Sequence, residues 1–368
     1  MDFEDTQNPE NNESQPSPPP QPQPAPAPAF NIPDFSSAVY DPYPKKKKGT
    51  GWKIFMGILL VISILFNVFL FLGIIGLGAI VAGGSTAADD GLVEKTLIDG
   101  QRTQKIAVIN IEGVIESGMS EWVQRQIKTA ERDASVKALI VRISSPGGDV
   151  ASSDQIHYYI SQFKKHTGKP VLAFMQSIAA SGGYYSAVAC DKIMAEPTVI
   201  TGSIGVIMNH LVLKDLLEEK LGISPVTLKS GKRKDWPSMF NETTDEEKQY
   251  LMDRIVTPAF DRFVTLVTEG RQEVLTEAEV RELADGGIYS APEAVDNKLI
   301  DAMGYFEEAV HATEQLAQIS NAQVVTYEEL FSFWSLMGAQ AQSKINIEAE
   351  ILEKLAAPRV MYLWDGKK

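Results

Sequence analysis

The chain has 368 residues, 44% hydrophobic and 22% charged, with a formal net charge of −14 at pH 7. These proportions suit a globular protein, and the acidic balance argues against nucleic acid as a partner for its body. The single cysteine, Cys190, excludes an intrachain disulfide, and about 280 residues can build a core without one.

Residues 1–44 hold twelve of the twenty prolines, many Gln, Asn and Ala, and almost no aliphatic side chains. Such a segment cannot bury enough apolar surface to offset the entropy of ordering, so a disordered tail is predicted. A tail without a specific partner is the plainer reading, and a polyproline II ligand is the alternative. Residues 45–84 are read as a basic flank and one transmembrane helix. Lys45 to Lys48 form the flank; the stretch from Ile54 to Ala82 carries no charge, and Asn67 is its only strongly polar side chain. About 20 apolar residues cross a bilayer, so residues 54–82 span it with tilt to spare. A secretory signal has an apolar core of only about 7–15 residues, which favours a retained anchor over a cleaved signal. Lys45–Lys48 and Lys53 lie on one side, Asp89, Asp90 and Glu94 on the other. This asymmetry places the N-terminus in the cytoplasm and the rest outside the cell membrane.

Residues 85–104 read as a polar linker. From Lys105 the pattern alternates between strands and helices, so parallel strands with helical crossovers are expected over residues 105–320. The predicted strands are Ile106–Ile111, Ala138–Ile143, Pro170–Met175, Lys192–Ala195 and Gly205–Met208. The predicted helices are Glu121–Glu131, Ser153–Lys165, Ser181–Cys190, Asp245–Glu269 and Phe306–Gln318. Thr276 and Glu279 have the spacing of a capping box. The extension 321–368 mixes charges with Phe331, Phe333, Trp334 and Trp364. Docking on the domain, on a neighbouring subunit and on the membrane surface all remain open for it.

Two Gly-rich turns follow successive strands. Ser144-Ser145-Pro146-Gly147-Gly148-Asp149 comes first, and Ser181-Gly182-Gly183 opens the helix after the third strand. In a parallel sheet both lie at carboxyl ends of strands, where sites form. Ser181 is flanked by small residues at a strand-to-helix turn, so its hydroxyl has little steric cover. The Gly148 and Gly182 N–H groups are the candidate oxyanion hole beside it; one such donor is worth about 2.7–4 kcal/mol in a transition state. Either turn taken alone reads as a tight turn and nothing more. A phosphate-binding loop is excluded, because Gly-x-x-x-x-Gly-Lys-Ser/Thr is absent. None of the four histidines has a comparable setting, so the candidate base is a lysine in Lys229-Ser230-Gly231-Lys232-Arg233-Lys234-Asp235. The residues alone leave Lys232 and Lys234 as rivals, and a solvated surface charge as the plain alternative for either.

Four motifs together carry a resemblance. They are Ser145-Pro146-Gly147-Gly148-Asp149, Ala179-Ala180-Ser181-Gly182-Gly183-Tyr184-Tyr185, Thr201-Gly202-Ser203-Ile204-Gly205-Val206, and Lys229-Ser230-Gly231-x-x-Lys234-Asp235. In order and spacing, from about Lys105 to Gln318, the chain resembles the short, single-domain bacterial form of the signal peptide peptidase A family of serine proteases. The resemblance implies an α/β fold, the Clp-protease/crotonase-like repeated ββα superhelix. It implies Ser181 as nucleophile, Lys234 as general base, Gly148 and Gly182 in the oxyanion hole, and Ser203 orienting the lysine amine. It further implies a membrane-anchored endopeptidase that degrades remnant signal peptides. Its homo-oligomeric ring would draw Ser and Lys from adjacent subunits. No cofactor or metal is expected. Lys232 and Arg233 beside Lys234 depart from the pattern and keep a rival base in view.

A lysine base must be neutral, and a fall of roughly three units from about 10.4 corresponds to about 4 kcal/mol. Burial by a neighbouring subunit would supply it. The rival functions are the same dyad acting on other membrane or secreted proteins, an acyl-CoA-handling enzyme, and an inert membrane scaffold. Asp154 and His157 lack a third metal ligand, His166, His210 and His311 read as surface or core residues, and Cys190 reads as a small buried side chain.

Overall fold

The computed structural model describes residues 50–83, 91–329, 359–364 and 366. The Pro-rich tail, Lys45–Lys48, Phe331, Phe333 and Trp334 lie outside the described residues. The chain divides into two compact units, Met1–Leu70 and Phe71–Lys368. Its first described element is α1, Thr50–Gly83, in which Gly51–Gly73 has a mean hydropathy of 2.8 and is long and apolar enough to cross a membrane.

The next elements are β1 (Leu92–Ile98), β2 (Gln101–Glu112), α2 (Ser117–Arg132), β3 (Val136–Ser145), β4 (Gly147–Asp149) and α3 (Val150–Thr167). They are followed by β5 (Val171–Ala180), α4 (Gly182–Ala187), β6 (Lys192–Ala195), β7 (Ile200–Gly202) and β8 (Ile207–Asn209). A π-helical turn, Leu216–Lys220, precedes α5 (Asp245–Leu251), and a second one, Met252–Val256, joins α5 to α6 (Thr257–Gly270). The remainder is α7 (Glu277–Leu283), β9 (Ile288–Ser290), α8 (Ala291–Asp296), β10 (Ala302–Met303), α9 (Phe306–Ala317), β11 (Ala322–Glu329) and β12 (Arg359–Leu363).

The main sheet runs β1-β11-β2-β3-β5-β6-β10. From β11 to β10 every pair is parallel, and β1 closes the edge antiparallel to β11. A parallel strand covered on both faces reads as a continuous apolar run, as β3 does. On one face Ile109, Leu139, Val141 and Ala173 pack with Val123, Ile156 and Phe263 of the helices. On the other, Ile106, Ile140, Leu172 and Phe174 pack against Ala309 and Val310 of α9. Each such large side chain taken from water stabilises the fold by about 1.5–3 kcal/mol.

The α/β alternation is as expected, with local differences. The segment read as a polar linker contains β1 and the start of β2. Its charges hide the pattern because they pair with residues outside the segment: Glu94 bonds Lys105 at 2.8 Å, and Lys95 bonds Glu328 at 2.7 Å. The helix expected over Ser181–Cys190 is only α4. The helix expected over Asp245–Glu269 is interrupted by the π turn at its middle. The strand expected at Gly205–Met208 starts at Ile207. The Thr276–Glu279 capping box opens α7 in both directions, with Thr276 N–H donating to Glu279 at 2.8 Å.

Candidate active site

β5 changes partner along its length. Leu172–Met175 pair with β6, whereas Ile178–Ala180 pair with β7. Ser177, at φ 56°, marks the break. The sheet therefore opens at the carboxyl end of β5, and Ser181 stands at that opening.

Ser181 has φ 53° and ψ −112°, a conformation that costs a non-glycine residue strain. Its N–H donates to Gly202 O at 2.7 Å, and its carbonyl accepts from Tyr185 N at 2.8 Å. These two bonds hold the turn while α4 starts at Gly182. The side chain is 1% exposed, and its hydroxyl makes no hydrogen bond among the described residues. An uncommitted hydroxyl on a strained strand-to-helix turn is the arrangement of a nucleophile elbow.

The two Gly-rich turns meet. A Cβ on Gly182 would lie 3.2 Å from Gly148 N and 2.5 Å from Ser153 Oγ. A Cβ on Gly147, which has φ 99°, would lie 2.7 Å from Gly182 N. Only glycine allows this approach, which brings the Gly148 and Gly182 backbones together beside Ser181. Asp149 caps α3 by accepting from Ser152 N at 2.8 Å, and Ser153 Oγ donates to Asp149 O at 2.9 Å. An N-cap of this kind stabilises by about 1 kcal/mol and fixes where β4 ends. Ile115 braces the other side, with Ile115 N donating to Gly147 O at 2.9 Å and Asp149 N to Ile115 O at 2.8 Å.

Ser203 follows Gly202, the acceptor for Ser181 N. It has φ 50°, is 7% exposed, and donates its N–H to Gly287 O at 2.7 Å. It borders a cavity of about 580 Å³ whose walls include Val206, Ile207, Phe260, Leu363 and Trp364.

The C-terminal strand lies across this site. β12 runs antiparallel between β4 and β8, with Tyr362 opposite Gly148 and Met361 opposite Ile207. Trp364 N donates to Pro146 O at 3.0 Å. Tyr362 is fully buried. Its ring stacks on Tyr185 at 4.8 Å and tilts against Phe263 at 4.9 Å, and its hydroxyl donates to Ala259 O at 2.7 Å. Of the three placements left open for the extension, residues 359–363 dock on the domain itself.

Lys234 sits apart from this cluster. It lies on an exposed turn, its N–H donates to Gly231 O at 3.1 Å, and no hydrogen bond joins its amine to Ser181 or Ser203.

The profile of peptidase family S49 matches residues 163–320, and that of the NfeD1b N-terminal domain matches residues 105–211. A putative signal peptide peptidase SppA of Enterococcus faecium is 33% identical over 299 residues, covering 75% of this chain and 85% of the relative. The chain belongs to the signal peptide peptidase A family. A putative protease of Synechocystis is 38% identical over 221 residues, covering 60% of this chain and 77% of the relative. Among solved structures, a point mutant of ClpP1 from Listeria monocytogenes is similar, with a TM-score of 0.37 and 17% identity over 56% of this chain and 95% of that one.

In this member of the family, sequence reasoning missed Tyr185, Tyr362 and Ile115 as supports of the site. The run Arg359-Val360-Met361-Tyr362-Leu363-Trp364 after Pro358 carried a strand signal, since β-branched and aromatic residues follow a breaker. Tyr185 donates to Asp154 Oδ1 at 2.6 Å, and Arg262 bonds the same oxygen at 2.9 Å. Asp154 is thereby occupied in holding α4. Burial lowers the neighbouring His157 to a pKa of about 4 despite the Asp154 charge. Burial also pushes the Cys190 thiol up, which makes it inert as a nucleophile. Among the described residues no group of three or more His, Cys, Asp or Glu is arranged to hold a metal ion.

Proposed function

We propose that the protein is a membrane-anchored serine endopeptidase with a Ser181–Lys234 dyad, acting on signal peptides left in the membrane. Ser181 attacks the scissile carbonyl as Lys234 takes its proton. The Gly148 and Gly182 N–H groups receive the oxyanion, and Ser203 orients the lysine amine. An acyl-enzyme forms, and water activated by Lys234 releases it.

One observation carries the reading. An extended peptide segment, the chain's own β12, lies antiparallel along the Gly147–Asp149 strand beside Ser181. This pairing is the form that β-augmentation by a bound peptide would copy, and since Ile115 holds the other edge a substrate would take the place of β12. Family membership supports the hydrolytic chemistry, and the apolar span of α1 supports the anchor, with the catalytic domain outside the cell membrane.

The remoteness of Lys234 supports a homo-oligomer in which it serves a neighbour's Ser181. An exposed lysine is solvated, and closure by a second copy would desolvate it. The segment leading to the lysine exposes Leu216, Leu221 and Ile223, with Val226 83% and Leu228 95% exposed. Exposed apolar runs of this size mark interaction sites.

The test uses the full chain in detergent micelles and an apolar signal-like peptide. Ser181→Ala is expected to lower kcat on the order of 10⁶-fold, and Lys234→Ala at least about 10²-fold, with assembly unchanged. Mixing the two inactive variants is expected to restore part of the activity. Mixed rings that assemble and stay inactive would remove the shared site. Turnover of intact membrane proteins with none of free signal peptides would move the substrate class.

A further inference from the structure

Residues 229–234 carry four cations, Lys229, Lys232, Arg233 and Lys234. Three are engaged. Lys229 pairs with Asp235 at 2.8 Å. Lys232 Nζ donates to both carboxylate oxygens of Glu246, at 2.8 and 2.6 Å, and lies 5.7 Å from the centre of the Trp236 ring. The Arg233 guanidinium lies 5.6 Å from Trp236 and 4.6 Å from Tyr250, and it approaches Glu246 at 3.9 Å. Trp236 and Tyr250 meet edge-on at 5.7 Å. Lys234 is the only one of the four without a side-chain partner among the described residues.

The partners come from one short element. Glu246 and Tyr250 are four residues apart on α5, so they share a face. Thr244 caps that helix by accepting from Glu247 N at 3.2 Å, which fixes where the face begins. The Lys232 ammonium holds the Glu246 carboxyl below the usual carboxylate range, which keeps the pair charged near neutral pH.

We propose that Glu246, acting with Tyr250 and Trp236, is a positioning residue for Lys234. It ties Lys232 and Arg233 to α5 and leaves the Lys234 amine as the uncommitted cation of the loop. This rests on the reading of Lys234 as the base. The clamp answers two difficulties of that reading. A loop dense in cations has rival bases, and Lys232 is removed from competition when both carboxylate oxygens hold it. An exposed loop samples many conformers, and a reacting group displaced by about 1 Å costs up to about 10²-fold in rate. Fixing the residues on either side of position 234 narrows where its amine can go.

Exposed ion pairs contribute little to global stability. Glu246 is half exposed, so its loss should alter catalysis and leave the fold intact. The full chain in micelles is assayed for peptide cleavage as wild type, Glu246→Ala, Glu246→Lys, and Glu246→Lys combined with Lys232→Glu. Glu246→Ala is expected to lower kcat about tenfold with KM within about twofold and the melting temperature unchanged. The double swap, which rebuilds the pair with reversed polarity, is expected to recover kcat relative to Glu246→Lys alone. A role in folding alone would lower the amount of active enzyme and the melting temperature together, and the swap would then restore both or neither.

Wild-type kcat in Glu246→Ala overturns the clamp, and so does a swap no better than Glu246→Lys. Lys234→Ala is run alongside to separate the two readings. If it stays active, the base assignment fails and takes the clamp with it. If it is inactive while Glu246→Ala is unimpaired, the clamp alone fails.

Discussion

Ser181 is 1% exposed, fixed by backbone bonds to Gly202 and Tyr185, and surrounded by glycines that admit no side chain. Lys234 is solvent-exposed, held by one turn bond and by neighbours bound to surface carboxylates and rings. The Ser181 half of the proposed site is a by-product of core packing, because the strands that build the core also position Ser181. The Lys234 half lies on an exposed loop tied to α5. A perturbation that weakens the core should therefore damage the first half, and a perturbation of surface contacts should damage only the second.

The largest effect should come from the buried strand over the Ser181 turn. Tyr362→Ala removes a fully buried ring, and its expected cost is about 3–5 kcal/mol, read as a drop in the urea midpoint. Tyr362→Phe, which loses only the bond to Ala259 O, should cost about 1 kcal/mol. An unchanged midpoint in Tyr362→Ala would show that β12 lies outside the cooperative core, and the contrast between the two halves would fail there.

The next effect is a pH dependence on the same side of the molecule. His157, edge-on to Tyr185 at 5.6 Å, has a folded pKa of about 4 against an ordinary 6.5. The unfolded chain therefore binds this proton first as pH falls. Stability from this residue is intact above pH 6.5, declines between 6.5 and 4, and is flat below. The loss is roughly 3 kcal/mol over that window. His157→Gln should flatten the difference in midpoint between about pH 7 and about pH 4.5. An equal slope in the variant would locate the acid sensitivity elsewhere.

The smallest expected effect sharpens the contrast most. Lys234→Ala should leave stability within about 0.5 kcal/mol of wild type, although it is expected to abolish turnover. A large loss of stability would mean that the lysine is buried in the assembled protein.

The legibility of the two halves follows the same division. The two Gly-rich turns were readable as turns because tight connections between buried strands need glycine, whereas pairing them as one site rested on the four-motif resemblance. Helix α9 and the Thr276 capping box were readable for the same local reasons. β1 was not, since an edge strand whose charges pair with Lys105 and Glu328 on neighbouring strands has no apolar alternation. β12 was not placed either, because its partners β4 and β8 lie far upstream in the chain and no local pattern encodes that pairing. The engagement of Lys232 and Arg233 was equally hidden, being set by Glu246 and Tyr250 on a different element.

The backbone at Ser181 also limits which side chains position 181 can carry. With φ at 53° and ψ at −112°, a β-branched side chain crowds its own peptide groups, so threonine is disfavoured there. Cysteine has an unbranched Cβ and places sulfur where the oxygen stands. The turn should therefore hold a Ser181→Cys side chain with less strain than a Ser181→Thr one.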